Sequence, residues 1–150
     1  MRNIVVAFLL IVVALALTKT ESGSDAVRDG IRGVGSKCAV SAHRPAKQGG
    51  QVVATGEVLC DRPGPEKVTL TVQLQRSADG KQWATVAGQT YTLVGDAATS
   101  AKPAGSRRRT AGAACANTTW RTLVEWTVQD KGKTTKAGPR TSEGRKNVCG

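Results

Sequence analysis

The sequence predicts an all-β chain, an antiparallel β-sandwich over residues 38–150, on three observations. Two stretches alternate apolar and polar residues with a period of two, turn residues punctuate the chain at short intervals, and no window from 38 to 150 carries a 3.6-residue apolar period. A period of two sends one row of side chains into a core and the other into solvent, as a half-buried strand does.

Cys38 precedes the first strand-like run and Cys60 ends the second, Gln51-Val-Val-Ala-Thr-Gly-Glu-Val-Leu-Cys60. Gly56 inside it marks a bulge or a close approach of another element. Asp61-Arg-Pro-Gly-Pro65 is a turn. Lys67-Val-Thr-Leu-Thr-Val-Gln-Leu-Gln-Arg76 then alternates strictly, with Val68, Leu70, Val72 and Leu74 on one face and Thr69, Thr71, Gln73 and Gln75 on the other. Asp79-Gly80 is a tight turn into Gln82-Trp-Ala-Thr-Val-Ala87, so 67–87 reads as a hairpin with Trp83 packed on the core. Tyr91-Thr-Leu-Val94 is a further strand. The stretch 96–113 is small, polar and basic, lacks any strand pattern, and reads as a long mobile loop. Trp120-Arg-Thr-Leu-Val-Glu-Trp-Thr-Val-Gln129 alternates again, with Trp120, Thr122, Val124, Trp126 and Val128 on the apolar side. Asp130-Lys-Gly132 is a turn, and a closing strand is expected near Lys146-Asn-Val-Cys149. Several short strands separated by turns make a sandwich of ordinary domain size.

In front of this domain lie fourteen apolar residues, Ile4 to Leu17, behind Arg2. Residues 1–18 read as a signal peptide or a signal anchor. Ala14-Leu-Ala16 offers a small-x-small cleavage site. As a helix the run covers about 21 Å, short of a ~30 Å hydrocarbon core unless Thr18 and a snorkelling Lys19 extend it. Both readings stay open, and in the second the membrane is reached through residues 4–17. Residues 19–37 hold four glycines and no sustained periodicity, and read as a flexible linker. Export is the shared expectation, with an extracytoplasmic, membrane-anchored or secreted domain.

Cys38, Cys60, Cys115 and Cys149 fit that address, because an oxidising compartment lets them pair. Four cysteines allow three pairings. Sequential pairing, Cys38 with Cys60 and Cys115 with Cys149, clips each terminal strand to its neighbour and is the expectation. The crossed alternatives include the central cystine of an immunoglobulin-like sandwich, for which Trp83 does lie between Cys60 and Cys115. A cysteine closing a strand before Pro63-Gly-Pro65, an alternating strand into Ser77-Ala-Asp-Gly-Lys-Gln-Trp83, Cys115 before Trp120-Arg-Thr122 and a C-terminal cysteine together resemble small exported β-sandwich proteins of actinobacteria and their phages. The resemblance covers residues 38–150, implies an immunoglobulin-like fold and an exported location, and carries over no site. Trp120 stands where such proteins often show Tyr.

Catalysis has little to draw on. His43 is the only histidine, there are no cysteine pairs at metal-ligand spacing, and no glycine-rich loop follows a strand. Neither catalytic residues, nor a cofactor, nor a metal site is expected. Ser77-Ala-Asp-Gly-Lys-Gln-Trp83 lacks one residue of the sialidase-type Asp-box, and Asn117-Thr-Thr119 reads as polar residues entering a strand. Charge is the remaining lead: residues 38–150 hold 17 Lys and Arg against 8 Asp and Glu, a net +9. Arg107, Arg108 and Arg109 in the expected loop, with Lys131, Lys133 and Lys136 beyond, are the candidate contacts to an anionic membrane or wall surface. Nucleic acid is disfavoured, since the few aromatics read as core rather than as exposed stacking platforms. A non-enzymatic surface-interaction protein is therefore expected, acting on an anionic surface or a protein partner. A small-molecule or glycan-binding module comes second, an unrecognised enzyme third.

Overall fold

Among the described residues, eight strands pair into two four-stranded antiparallel sheets, the sandwich that the alternation predicts. The computed structural model describes residues 29–31 and 37–150. The apolar run and most of the linker therefore lie outside the described residues, and with them the choice between signal and anchor. The first sheet has the order β1 (Asp29–Ile31), β2 (Cys38–Gln48), β3 (Gln51–Cys60), β6 (Arg108–Ala114). The second has the order β5 (Ala84–Leu93), β4 (Lys67–Ser77), β7 (Thr119–Asp130), β8 (Lys133–Thr141). No helix among the described residues is long and apolar enough to cross a membrane.

The two alternating stretches become the paired central strands β4 and β7, in unbroken register from Lys67–Gln129 to Ser77–Thr119. Val68, Leu70, Val72 and Leu74 are fully buried, as are Trp120, Thr122 and Val124, with Trp126 and Val128 nearly so. They pack on Val40, Val52, Ala54 and Val58 of the first sheet. Each fully buried Val or Leu contributes roughly 1.5–3 kcal/mol. Gly56 serves a close approach: a Cβ there would lie 2.9 Å from Val72 Cγ2 and 3.0 Å from Val124 Cγ2. The register of β3 against β6 runs unbroken through it, and the irregularity falls in β2, between His43 and Ala46.

The cystines are sequential. Cys38–Cys60 joins directly paired residues of β2 and β3, and Cys115–Cys149 ties the connection after β6 to the C-terminal tail. The immunoglobulin-type bridge from Cys60 to Cys115 does not form.

Five expectations need correction. The stretch 96–113 is not an unstructured loop. It holds a 3₁₀ turn (Gly95–Ala98), a helical turn α1 (Ala104–Arg107) and strand β6. β6 escapes the alternation test because it pairs with one neighbour only and meets the core through small residues such as Ala111, so its ladder comes from β3 rather than from its own composition. The closing strand near Lys146 is absent; the tail makes a single bridge, Trp120 with Arg145, and the last strand is β8. β8 is an edge strand exposed along most of its length, so no buried row marks it in sequence. Residues 84–93 form one strand rather than two runs. Trp83 stands just before it, half-buried, with the Arg121 guanidinium 4.2 Å from the centre of its ring instead of core side chains. The connection before it is longer than the tight Asp79-Gly80 turn expected, since β4 ends at Ser77 and β5 starts only at Ala84; within it Asp79 Oδ1 accepts from the Lys81 and Gln82 amides and the Ser77 hydroxyl.

Candidate functional site

The arginine triplet makes its contacts within the fold, with Arg107 buried, Arg109 half-buried and Arg108 exposed. Arg107 ends the helical turn and is 7% exposed; its guanidinium donates to the Thr99 carbonyl at 3.2 Å and to the Lys102 carbonyl. It also lies 3.6 Å from Glu57 Oε1. Arg108 Nε donates to Glu57 Oε2 at 3.0 Å, and His43 Nε2 stands 3.0 Å from the same oxygen. Arg109 folds back on the Ser106 and Arg108 carbonyls and covers the Tyr91 ring, 5.6 Å from its centre. Tyr91 in turn donates to the Thr110 carbonyl, so Arg109 and Tyr91 close the seam where β6 meets β5. The loop arginines expected to reach outward thus hold the loop down, with Arg107 buried.

Glu57 is the hub of this cluster, on the outer face of the first sheet. Burial pushes its carboxyl up, but the hydrogen bond and charge of Arg108, then of His43, outweigh that and hold it below the ordinary value of 4.5. His43 sits within β2, part-buried, and faces this carboxylate.

The lysines behave differently. Lys131 and Gly132 are the two residues between β7 and β8, both with positive φ (50° and 73°), as a tight type I′ hairpin turn requires. Lys131, Lys133 and Lys136 are all exposed, Lys133 opposite Asp130 and Lys136 opposite Thr127 along the edge strand. The turn lies at the end of the sandwich where β2 begins, β3 ends and β4 begins. The sequence reading passed over three cations that share this end: Lys37, Arg62 and Lys67. Lys37 precedes Cys38 and Arg62 follows Cys60 by two, so the Cys38–Cys60 pairing itself brings them together. Accepting that cystine from sequence was signal enough to find them.

Here an open cleft of about 420 Å³ is lined by Lys37, Asp61, Arg62, Pro63, Gly64, Asp130 and Lys131. Its walls are fixed. The Asp61 amide donates to the Lys37 carbonyl at 2.7 Å beside the cystine. Gly64 packs so closely that a Cβ would lie 2.2 Å from the Gly95 carbonyl oxygen, and the Gly95 amide donates to the Pro65 carbonyl at 2.9 Å. Cations also stand at the opposite end, but several are spent on the tail: Arg44 pairs with Glu143, Lys47 donates to the Cys149 carbonyl and Arg145 to the Pro45 carbonyl.

Among the described residues no group of three or more His, Cys, Asp or Glu is placed to hold a metal ion. The two cystines indicate an oxidising, extracytoplasmic environment. The chain matches no family model and no curated protein.

Proposed function

We propose that this is an exported, non-enzymatic domain that acts at the cell surface by settling its basic end on an anionic surface. One observation carries the reading. Lys37, Arg62 and Lys131 line one cleft, with Lys67 and Lys133 on the strands that begin at the same end of the sandwich. The charge at this end is mixed, with Asp61, Glu66 and Asp130 among the lysines, so attraction is local rather than a uniform field.

The test uses the chain recovered from the envelope in its native processed form. Sedimentation with phosphatidylglycerol vesicles should be strong at low salt and fall steeply at high salt, because exposed charges are screened within a Debye length of about 8–10 Å. Each lysine near such a surface contributes about 1 kcal/mol, so K131S/K133S should weaken binding roughly tenfold or more at low salt. Salt-insensitive binding, or binding unchanged in that variant, would overturn the reading.

A further inference from the structure

The composition of the cleft is more specific than a basic patch. Three cations stand on three independently fixed pieces of chain: Lys37 beside the cystine, Arg62 on the proline-flanked connection, and Lys131 on the β7–β8 turn. Two carboxylates, Asp61 and Asp130, line the same space. A site for a bare anion would not place two carboxylates against its ligand. A carboxylate accepts hydrogen bonds and donates none, so it suits hydroxyl groups. A guanidinium and two ammonium groups lining the same cleft suit phosphate oxygens, which Arg can take two at a time.

From this we propose that the cleft binds a polyol phosphate, a glycerol phosphate group, with Lys37, Arg62 and Lys131 on the phosphate and Asp61 and Asp130 on the hydroxyls. The inference rests on the surface-attachment reading and names what that surface displays. The same group occurs as a lipid headgroup and in glycerol phosphate polymers, and the chemistry of the site is common to both.

The experiment titrates the full processed chain with three soluble probes, followed by amide NMR shifts. Glycerophosphoglycerol carries both phosphate and hydroxyls, dimethyl phosphate carries the charge alone, and glycerol the hydroxyls alone. Saturable shifts at residues 61, 62, 64 and 131 with glycerophosphoglycerol are expected, at least about tenfold tighter than with either control, the weight of one charge-assisted hydrogen bond. Asp61→Leu should lower that preference severalfold while tightening dimethyl phosphate, because a hydroxyl acceptor and a repelling charge are both gone. Lys131→Ser should weaken both phosphates about fivefold. Equal binding of dimethyl phosphate and glycerophosphoglycerol, or shifts confined to other parts of the fold, would overturn the proposal.

Vesicles separate this inference from the reading beneath it. Preference for phosphatidylglycerol over phosphatidylserine at matched surface charge supports the glycerol phosphate site and marks the lipid as its source. Preference for glycerol phosphate polymer over either vesicle supports the site and marks the polymer. Equal, salt-sensitive binding to all three leaves surface attachment standing and removes the cleft as a specific site.

Discussion

Glu57 holds two arginines and a histidine on the outer face of the first sheet, and the connection 95–107 hangs on that arrangement. Removing one partner leaves the others short of a counter-charge in a half-buried place, which is where single changes cost most. Arg107→Ser, which also strips the Thr99 and Lys102 carbonyls of their donor, should lower unfolding free energy by about 2 kcal/mol in denaturant titration. Lys131→Ser should stay within about 0.5 kcal/mol, as an exposed turn residue with no such partners among the described residues does. The pH dependence has a definite sign. The folded carboxyl of Glu57 titrates below 4.5, so its contribution is full above that value and disappears as pH falls through the lowered folded value. Glu57→Gln should therefore lower stability at neutral pH and flatten the decline between neutral and acid, read as melting temperature against pH. A parallel shift of the whole curve would mean that the charge of Glu57 does not matter.

Elements that touch the core on one side only, such as β6 and β8, are held by what lies beside them. β6 owes its strand geometry to β3, and the cystine Cys115–Cys149 secures the chain just beyond its end. At the other end of the sandwich, Cys38–Cys60 holds β2 to β3 and fixes Lys37 and Asp61 at the mouth of the cleft. Replacing Cys38 and Cys60 together by Ser should cost about 2–4 kcal/mol, chiefly by freeing the unfolded chain. It should also weaken anion binding at the cleft while the remaining fold persists, measured by thermal melting and probe titration side by side. Loss of stability with unaltered binding would show that the cystine does not shape the cleft. Between the sheets the margin is small: Gly56→Ala puts a methyl group against Val72 and Val124 and should cost about 1–3 kcal/mol by denaturant unfolding.

Across the whole molecule, the basic residues fall into two groups with different work. β6 lies at one edge of the first sheet, beside β5, whereas β8 is the edge of the second sheet away from β5. Arg108 and Arg109 are thus occupied by Glu57 and Tyr91 on one flank, while Lys131 and Lys133 face solvent on the other, at the end where β2 begins. K131S/K133S and R108S/R109S remove the same formal charge from the domain. The lysine pair should lose most of the low-salt vesicle attachment and little stability; the arginine pair should lose stability and little attachment. Equal loss of attachment would point to net charge alone as the attracting feature.

What the sequence determined by itself is whatever depends on local period and on chemistry carried by single residues. The alternation in 67–76 and 120–129 marks two strands and every residue of their buried rows, because a strand with one buried face must alternate. The turns at Asp79-Gly80 and Lys131-Gly132 were legible for a similar reason, glycine being the residue that tolerates positive φ. The cystine pairing was legible too, because linking neighbours along the chain demands no particular fold. Only the tertiary structure decided β6, β8, the inward turn of Arg107 and the place of His43. An edge strand of small or polar residues has no alternation to read, and a charged side chain goes inward only where distant residues supply partners: Glu57, Thr99 and Lys102 for Arg107, Glu57 again for His43. The cleft belongs to both levels, since the cystine flanks were visible in one dimension, but Asp130 and Lys131 join Lys37 and Arg62 only when two sheets pack face to face.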